Sequence, residues 1–147
     1  MKSFFHALFG TIAILLIASF WISTAVSELF FDHFAVAFVK RSVVYGLFLL
    51  VPLLAMTGLS GMRLGIGRSD PRIAKKTMRM RMIAANGLLV LVPAALYLNG
   101  KASVGRFDAA FYSVQLIELT VGLVQIVLMS LNLCDGLRLA GKLRSVP

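Results

Sequence analysis

Apolar residues in this chain come in long runs, and polar residues are confined to short stretches between them. Four runs stand out, at 7–27, 42–60, 82–98 and 109–131. Each approaches the ~20 residues that a helix needs to cross ~30 Å of hydrocarbon. None alternates apolar and polar positions with the period of two that a membrane barrel strand requires. The pattern predicts an all-α integral membrane protein. Its expected architecture is a four-transmembrane-helix bundle forming a single domain over residues 1–147, with a basic connection at 61–81.

The fourth run carries a carboxylate, Glu118, near its middle. An ionised group at the centre of a membrane helix costs roughly 2.5–3.5 kcal/mol on insertion scales, so such residues turn toward the bundle interior. Glu118 also belongs to a series. Gln115, Glu118, Gly122, Gln125, Met129 and Asn132 follow one another at spacings of 3, 4, 3, 4 and 3. That spacing puts all six on one helix face, which is expected to point inward. Gly122 lets a neighbouring helix approach closely.

A rise of ~1.5 Å per residue sets the depths of possible partners. Tyr45, Tyr97, Ser19 and Ser23 fall near the depth of Glu118, with Arg41 able to reach inward, and Asn86 and Thr57 fall near Gln125. Two polar layers are predicted: an outer one around Glu118 and Tyr45, and an inner one around Gln125 and Asn86. Three roles are open for Glu118. It is a structural acid that fixes packing, a proton or cation site, or a contact for a quinone, haem or partner within a larger complex.

Composition supports the membrane reading. Hydrophobic residues make up 59% and charged residues 14%, against roughly 25% charged in soluble domains. The net charge of +9 raises nucleic acid as a partner, but its distribution excludes it. Arg63, Arg68, Arg72, Lys75, Lys76, Arg79 and Arg81 all lie between the second and third runs. This is the positive-inside signature, which places that connection and both termini in the cytoplasm. Size and charge pattern suggest a multi-pass protein of a bacterial inner (plasma) membrane.

Asp70-Pro71 reads as a helix start running into the third span. Arg72, Lys75, Lys76 and Arg79 then share one face. Such a face attracts anionic lipid headgroups at about 1 kcal/mol per charge, or an acidic partner protein. Elsewhere, the segment 28–38 is expected to lie at the outer interface, with Lys40 and Arg41 snorkelling from the mouth of the second span. Ala25-Val26-Ser27 fits a signal-peptide cleavage site. The length of the first run and Trp21, read as an interfacial belt residue, favour a retained helix. Pro52 and Pro93 should kink their helices, freeing the carbonyls of Phe48 and Leu89.

Several chemistries find no support. Cys134 is the only cysteine, which excludes a disulfide and a multi-cysteine metal site, and it reads as a small packing residue. The only histidines, His6 and His33, flank the first span, so no interior pair exists for haem. Glu28, Asp32 and His33 offer a single nitrogen ligand, a poor metal set. No base is placed to activate a serine. No cofactor and no enzymatic activity are expected. The expected function is that of an accessory or scaffold subunit that packs with partner helices, either another membrane protein or further copies of itself. The alternative is a small proton- or cation-coupled transporter or channel protomer using Glu118. A water-reachable Glu118 favours transport, and a sealed one favours the scaffold.

Overall fold

The computed structural model describes residues 2–65 and 71–139, with side chains described from 7 to 58 and from 77 to 137. Five α-helices account for nearly all of it: α1 (Lys2–Phe30), α2 (His33–Gly65), α3 (Pro71–Asn86), α4 (Val92–Ser103) and α5 (Ala109–Leu139). No strand occurs among the described residues. Between α3 and α4 the chain never leaves a helical path, because Gly87–Leu91 forms a π-helical segment that joins them into one rod. Four helices are long and apolar enough to cross a membrane: Ala7–Phe30, His33–Gly58, Thr77–Ser103 and Ala109–Leu137.

These spans are longer than the apolar runs, and the second differs most. It starts at His33 rather than near 42, because only Phe31 and Asp32 separate α1 from α2. Asp32 caps α2 by accepting the Ala35 N–H at 2.9 Å, and its carbonyl accepts from Val36. The aromatic segment 28–38 is therefore no separate interfacial helix but the end of one span and the start of the next. Likewise the 61–81 connection is mostly helical, belonging to α2 up to Gly65 and to α3 from Pro71. Asp70, the expected cap of α3, lies outside the described residues.

Helix α1 packs on α2 and α5, α2 on α1 and on the α3–α4 rod, and α5 on the rod and α1. The order is cyclic, α1–α2–rod–α5, as in an up-down-up-down bundle. Two apolar clusters brace it. Near the α1–α2 turn, Val36, Leu98, Ala102 and Phe111 are buried together. Toward the opposite end, Ala13, Ile17, Leu50, Ile83 and Met129 form the second cluster. Side chains on the outside, such as Phe34, Phe38, Phe48, Leu89 and Leu116, are large, apolar and exposed. A surface of this kind is suited to lipid rather than water.

Both ends are tied by polar contacts. At the first, which we call the His33 end, the His33 ring stacks on Phe107 at 4.1 Å. Gly105, at φ +70, makes the turn there between α4 and α5, a conformation open to glycine without strain. Asp108 then caps α5, accepting the Phe111 N–H at 3.0 Å and the Lys101 ammonium at 2.5 Å. The Lys101 hydrogen bond, aided by the Phe111 amide, holds the Asp108 carboxyl below its ordinary range. At the opposite end, the Asp135 end, Arg79 of α3 pairs with Asp135 of α5 at 2.7 Å.

Proline has different consequences in its two helices. Pro52 sits within α2. Pro93 stands two residues past the π-helical segment, in the first turn of α4, and there the Val92 N–H bonds the Gly87 carbonyl five residues back. The wider turn absorbs what was expected to be a plain kink. Glycine permits two close approaches. A Cβ added at Gly46 meets the ring of Phe20, and one at Gly122 comes within 3.0 Å of the Trp21 ring.

Candidate functional site

Along α5 the interior face reads Phe111, Gln115, Glu118, Gly122, Gln125, Met129, Asn132. Six of these are buried, and Glu118 is nearly so, with 13% of its side chain exposed. Alternating steps of four and three keep one seam of a helix against its neighbours over its whole length. The seam carries four polar side chains, so each of them needs a partner inside the bundle.

Glu118 finds a cation. The ammonium of Lys40 lies 2.5 Å from its Oε2. Lys40 is among the most enclosed side chains in the protein, 1% exposed. Helical phase explains this. Val36, Lys40, Val43 and Leu50 recur at steps of four, three and seven and are all buried, whereas Phe38, Arg41, Tyr45 and Phe48 lie on the outer side. Lys40 therefore does not snorkel outward. It stands about 10 Å into α2, seven residues from His33, and ties α2 to α5. Gln115 adds a weaker contact, its Nε2 3.4 Å from the same Glu118 oxygen. A second carboxylate is close: Glu28, near the end of α1, interacts electrostatically with Lys40, His33 and Glu118.

The expected outer layer is thus reassigned. Tyr45 and Tyr97 are both exposed and take no part in it. Ser19 and Ser23 are exposed as well and bond carbonyls of their own helix. Arg41 points outward, and its neighbour Lys40 makes the interior contact. Trp21 is no belt residue either. Its ring lies against Gly122 and its indole N–H donates at 2.8 Å to the carbonyl of Leu119, the residue that follows Glu118.

The inner layer centres on Gln125, which is fully buried. Its Nε2 donates to the Ile83 carbonyl at 3.0 Å, one turn before the π-helical segment. A side chain from a neighbouring helix is one of the ways in which an interrupted membrane helix satisfies its backbone. Asn86, the expected partner, is half-buried and is replaced in this contact by the Ile83 backbone. Gly87 also approaches Gln125, so that an added Cβ would stand 3.6 Å from its Nε2. Asn132 closes the seam toward the Asp135 end, 9% exposed.

Among the described residues, the buried polar atoms without a hydrogen-bond partner share one property. Glu28 Oε1, Gln115 Oε1, Gln125 Oε1 and Asn132 Oδ1 are all acceptor oxygens. The interior is short of donors, not of acceptors.

On the basic side, Arg72, Lys75 and Lys76 lie on α3, their side chains outside the described residues. Arg79 is spent within the bundle, since its guanidinium bonds Asp135. It is not a free lipid-facing cation as the sequence pattern suggested. Cys134 is exposed rather than packed. Among the described residues, no three histidine, cysteine or acidic side chains gather as metal ligands. No protein-family profile matches the chain, and no curated protein and no solved structure aligns with it.

Proposed function

We propose that this chain is a small, non-catalytic, multi-pass membrane protein that serves as an accessory or scaffold subunit and packs its outer helix faces against partner helices. One observation carries the reading: the ammonium of Lys40, 1% exposed, closes on Glu118 at 2.5 Å. The most costly interior group is thereby engaged in joining α2 to α5. A carboxylate that couples transport must exchange its proton or cation on every cycle, and an adjoining ammonium competes for that place. Gln125 and Trp21 act in the same sense, each bonding from its own helix to the backbone of another.

In this reading the Asp135 end faces the cytoplasm, following the cluster of arginines and lysines from Arg63 to Arg81, and both termini lie there. Arg72, Lys75 and Lys76 meet anionic headgroups of the inner (plasma) membrane, at about 1 kcal/mol each. The partner is another membrane protein or further copies of the chain, and nucleic acid is not a partner. The test is affinity isolation of the tagged protein in mild detergent or native nanodiscs, scored for stoichiometric co-purifying membrane proteins and for self-association. A monomer with no stoichiometric companion under both conditions overturns the proposal.

The alternative, a proton- or cation-coupled transporter protomer using Glu118, is favoured by a different observation: a second carboxylate, Glu28, lies beside the pair with an oxygen that no group satisfies. Proteoliposomes decide it. Ion- or proton-coupled uptake by the purified protein that disappears in Glu118→Gln, with assembly unchanged, replaces the scaffold reading.

A further inference from the structure

The Lys40 cluster contains more negative than positive charge. Glu118 and Glu28 bring two carboxylates, and Lys40 brings the one enclosed ammonium. His33, the other group acting on Glu28, is exposed and stacked on Phe107. The buried residues of α4 are Ala94, Ala95, Leu98 and Ala102, none ionisable. With both acids ionised the cluster holds one uncompensated negative charge. Glu28 is half-buried with its Oε1 enclosed, and an uncompensated charge held there is unfavourable, so a compensating positive charge is favoured.

The unpartnered atoms show where that charge goes. Lys40 directs its ammonium to Glu118 Oε2. Glu28 Oε1 is shielded from solvent and has no donor. Gln115, 4% exposed, has its amide in the same cluster through its 3.4 Å contact with Glu118, and its Oε1 also lacks a donor. Two enclosed acceptors without a donor, beside an acid–base group one positive charge short, describe a site missing one proton.

We propose that Glu28, Lys40, Glu118 and Gln115 form a protonation site near the His33 end of the bundle, in which one exchangeable proton on the Glu28 carboxyl brings the group to neutrality. Glu28 is two residues from the end of α1, the member nearest the end of its helix. On release, the O–H bond of the Glu28 carboxyl breaks, its electron pair stays on the oxygen, and the proton passes to water at the His33 end. Uptake reverses these steps. The site does not depend on the accessory-subunit reading, because a protein without a partner still titrates there.

Infrared difference spectroscopy of the purified protein in nanodiscs, over a pH series with and without sodium, tests the assignment. The wild type is expected to show one protonated-carboxyl stretch that titrates and is indifferent to sodium. Glu28→Gln is expected to lose that band while keeping wild-type helix content, because glutamine imitates the neutral acid. Glu118→Gln is expected to lose it too, for a distinct reason: Glu28 becomes the counter-ion of Lys40 and gives up its proton. If Glu28→Gln fails to fold, the Glu118→Gln spectrum alone decides. Three results overturn the proposal: no titrating band in the wild type, a band that survives Glu28→Gln or Glu118→Gln, or a band seen only when sodium is withdrawn. The last assigns the compensating charge to a metal cation.

Discussion

Replacing Lys40 by methionine removes the ammonium while keeping most of the stem volume. It leaves Glu118 with Gln115, 3.4 Å away, as its remaining hydrogen-bond partner, and with the Glu28 carboxyl still close by. Breaking a buried ion pair from one side costs about 3–5 kcal/mol. The upper end is not reached here, because the orphaned acid can take up a proton. Protonating a carboxylate becomes easier by about 1.4 kcal/mol for each unit that pH falls. The loss in Lys40→Met is therefore expected to be about 3–4 kcal/mol at pH 7 and to shrink steeply as pH falls, since protonation becomes easier. The double variant Lys40→Met/Glu118→Gln carries no orphan charge and is expected to regain most of the stability. Trp21, the single tryptophan, sits between α1 and α5. Its emission during reversible unfolding in mixed micelles reports this packing directly. A Lys40→Met loss that is independent of pH, or a double variant no more stable than the single one, refutes the reasoning.

Other substitutions probe the rest of the seam. Gln125→Leu removes the donor to the Ile83 carbonyl together with its own unpartnered oxygen. The stability loss is expected to stay below about 1 kcal/mol, as for most hydrogen bonds within membranes, while amide exchange accelerates through Gly87–Leu91. Gly122→Ala forces the Trp21 ring to move, because the new Cβ stands only 3.0 Å from it. A loss of about 1–3 kcal/mol and a changed Trp21 emission are expected, and a silent variant contradicts the packing. The Asp108 carboxyl is held below its usual range by Lys101 and then by the Phe111 amide. A lowered folded-state pKa means that its contribution is present above about pH 4, the ordinary aspartate value, and is lost as pH falls through the lower folded value. Phe111 and Tyr112 amide protection should hold at pH 4, decline in stronger acid, and be weak at all pH values in Asp108→Ala.

The apolar runs located four helices long and apolar enough to cross a membrane, because a bilayer would impose length and hydrophobicity on any helix that crosses it. The α5 face was legible for a related reason: four polar residues at steps of three and four cannot all meet lipid. Partners were harder to read. Tyr45 and Tyr97 have depths close to that of Glu118, but depth leaves the direction around the helix axis open, and both point outward. Lys40 was overlooked beside Arg41 because adjacent cations at an apparent helix mouth read as flanking charges. The distinguishing signal lay in phase, since Lys40 shares the period of Val36, Val43 and Leu50 while Arg41 shares that of Phe38, Tyr45 and Phe48. The α2 start escaped notice because 28–38 is rich in phenylalanine and interrupted by only a few charges. Hydropathy reads such a stretch as interfacial, and the Asp32 cap is a two-residue event within it. No local signal beyond Gly87 and Pro93 announced the π-helical segment.

That segment changes what a deletion means. A π turn is an α-helix with one residue too many. From Ile83 to Ala95, Leu98 and Ala102 the separations are 12, 15 and 19. At ~100° per residue these lie about 60–120° away from the side of Ile83. Subtract the extra residue and they become 11, 14 and 18, back on that side within about 40°. The surplus residue thus lets one rod bury Ile83 against Gln125 and Leu98 against Phe111. Losing any one residue from a regular part of the bundle turns everything downstream by about a quarter of a circle and exposes its seam. Losing one between Gly87 and Leu91 only tightens the turn. The third span's tolerance to a change of length is concentrated at this point, and a scan of single-codon deletions across that span should find its permissive window there.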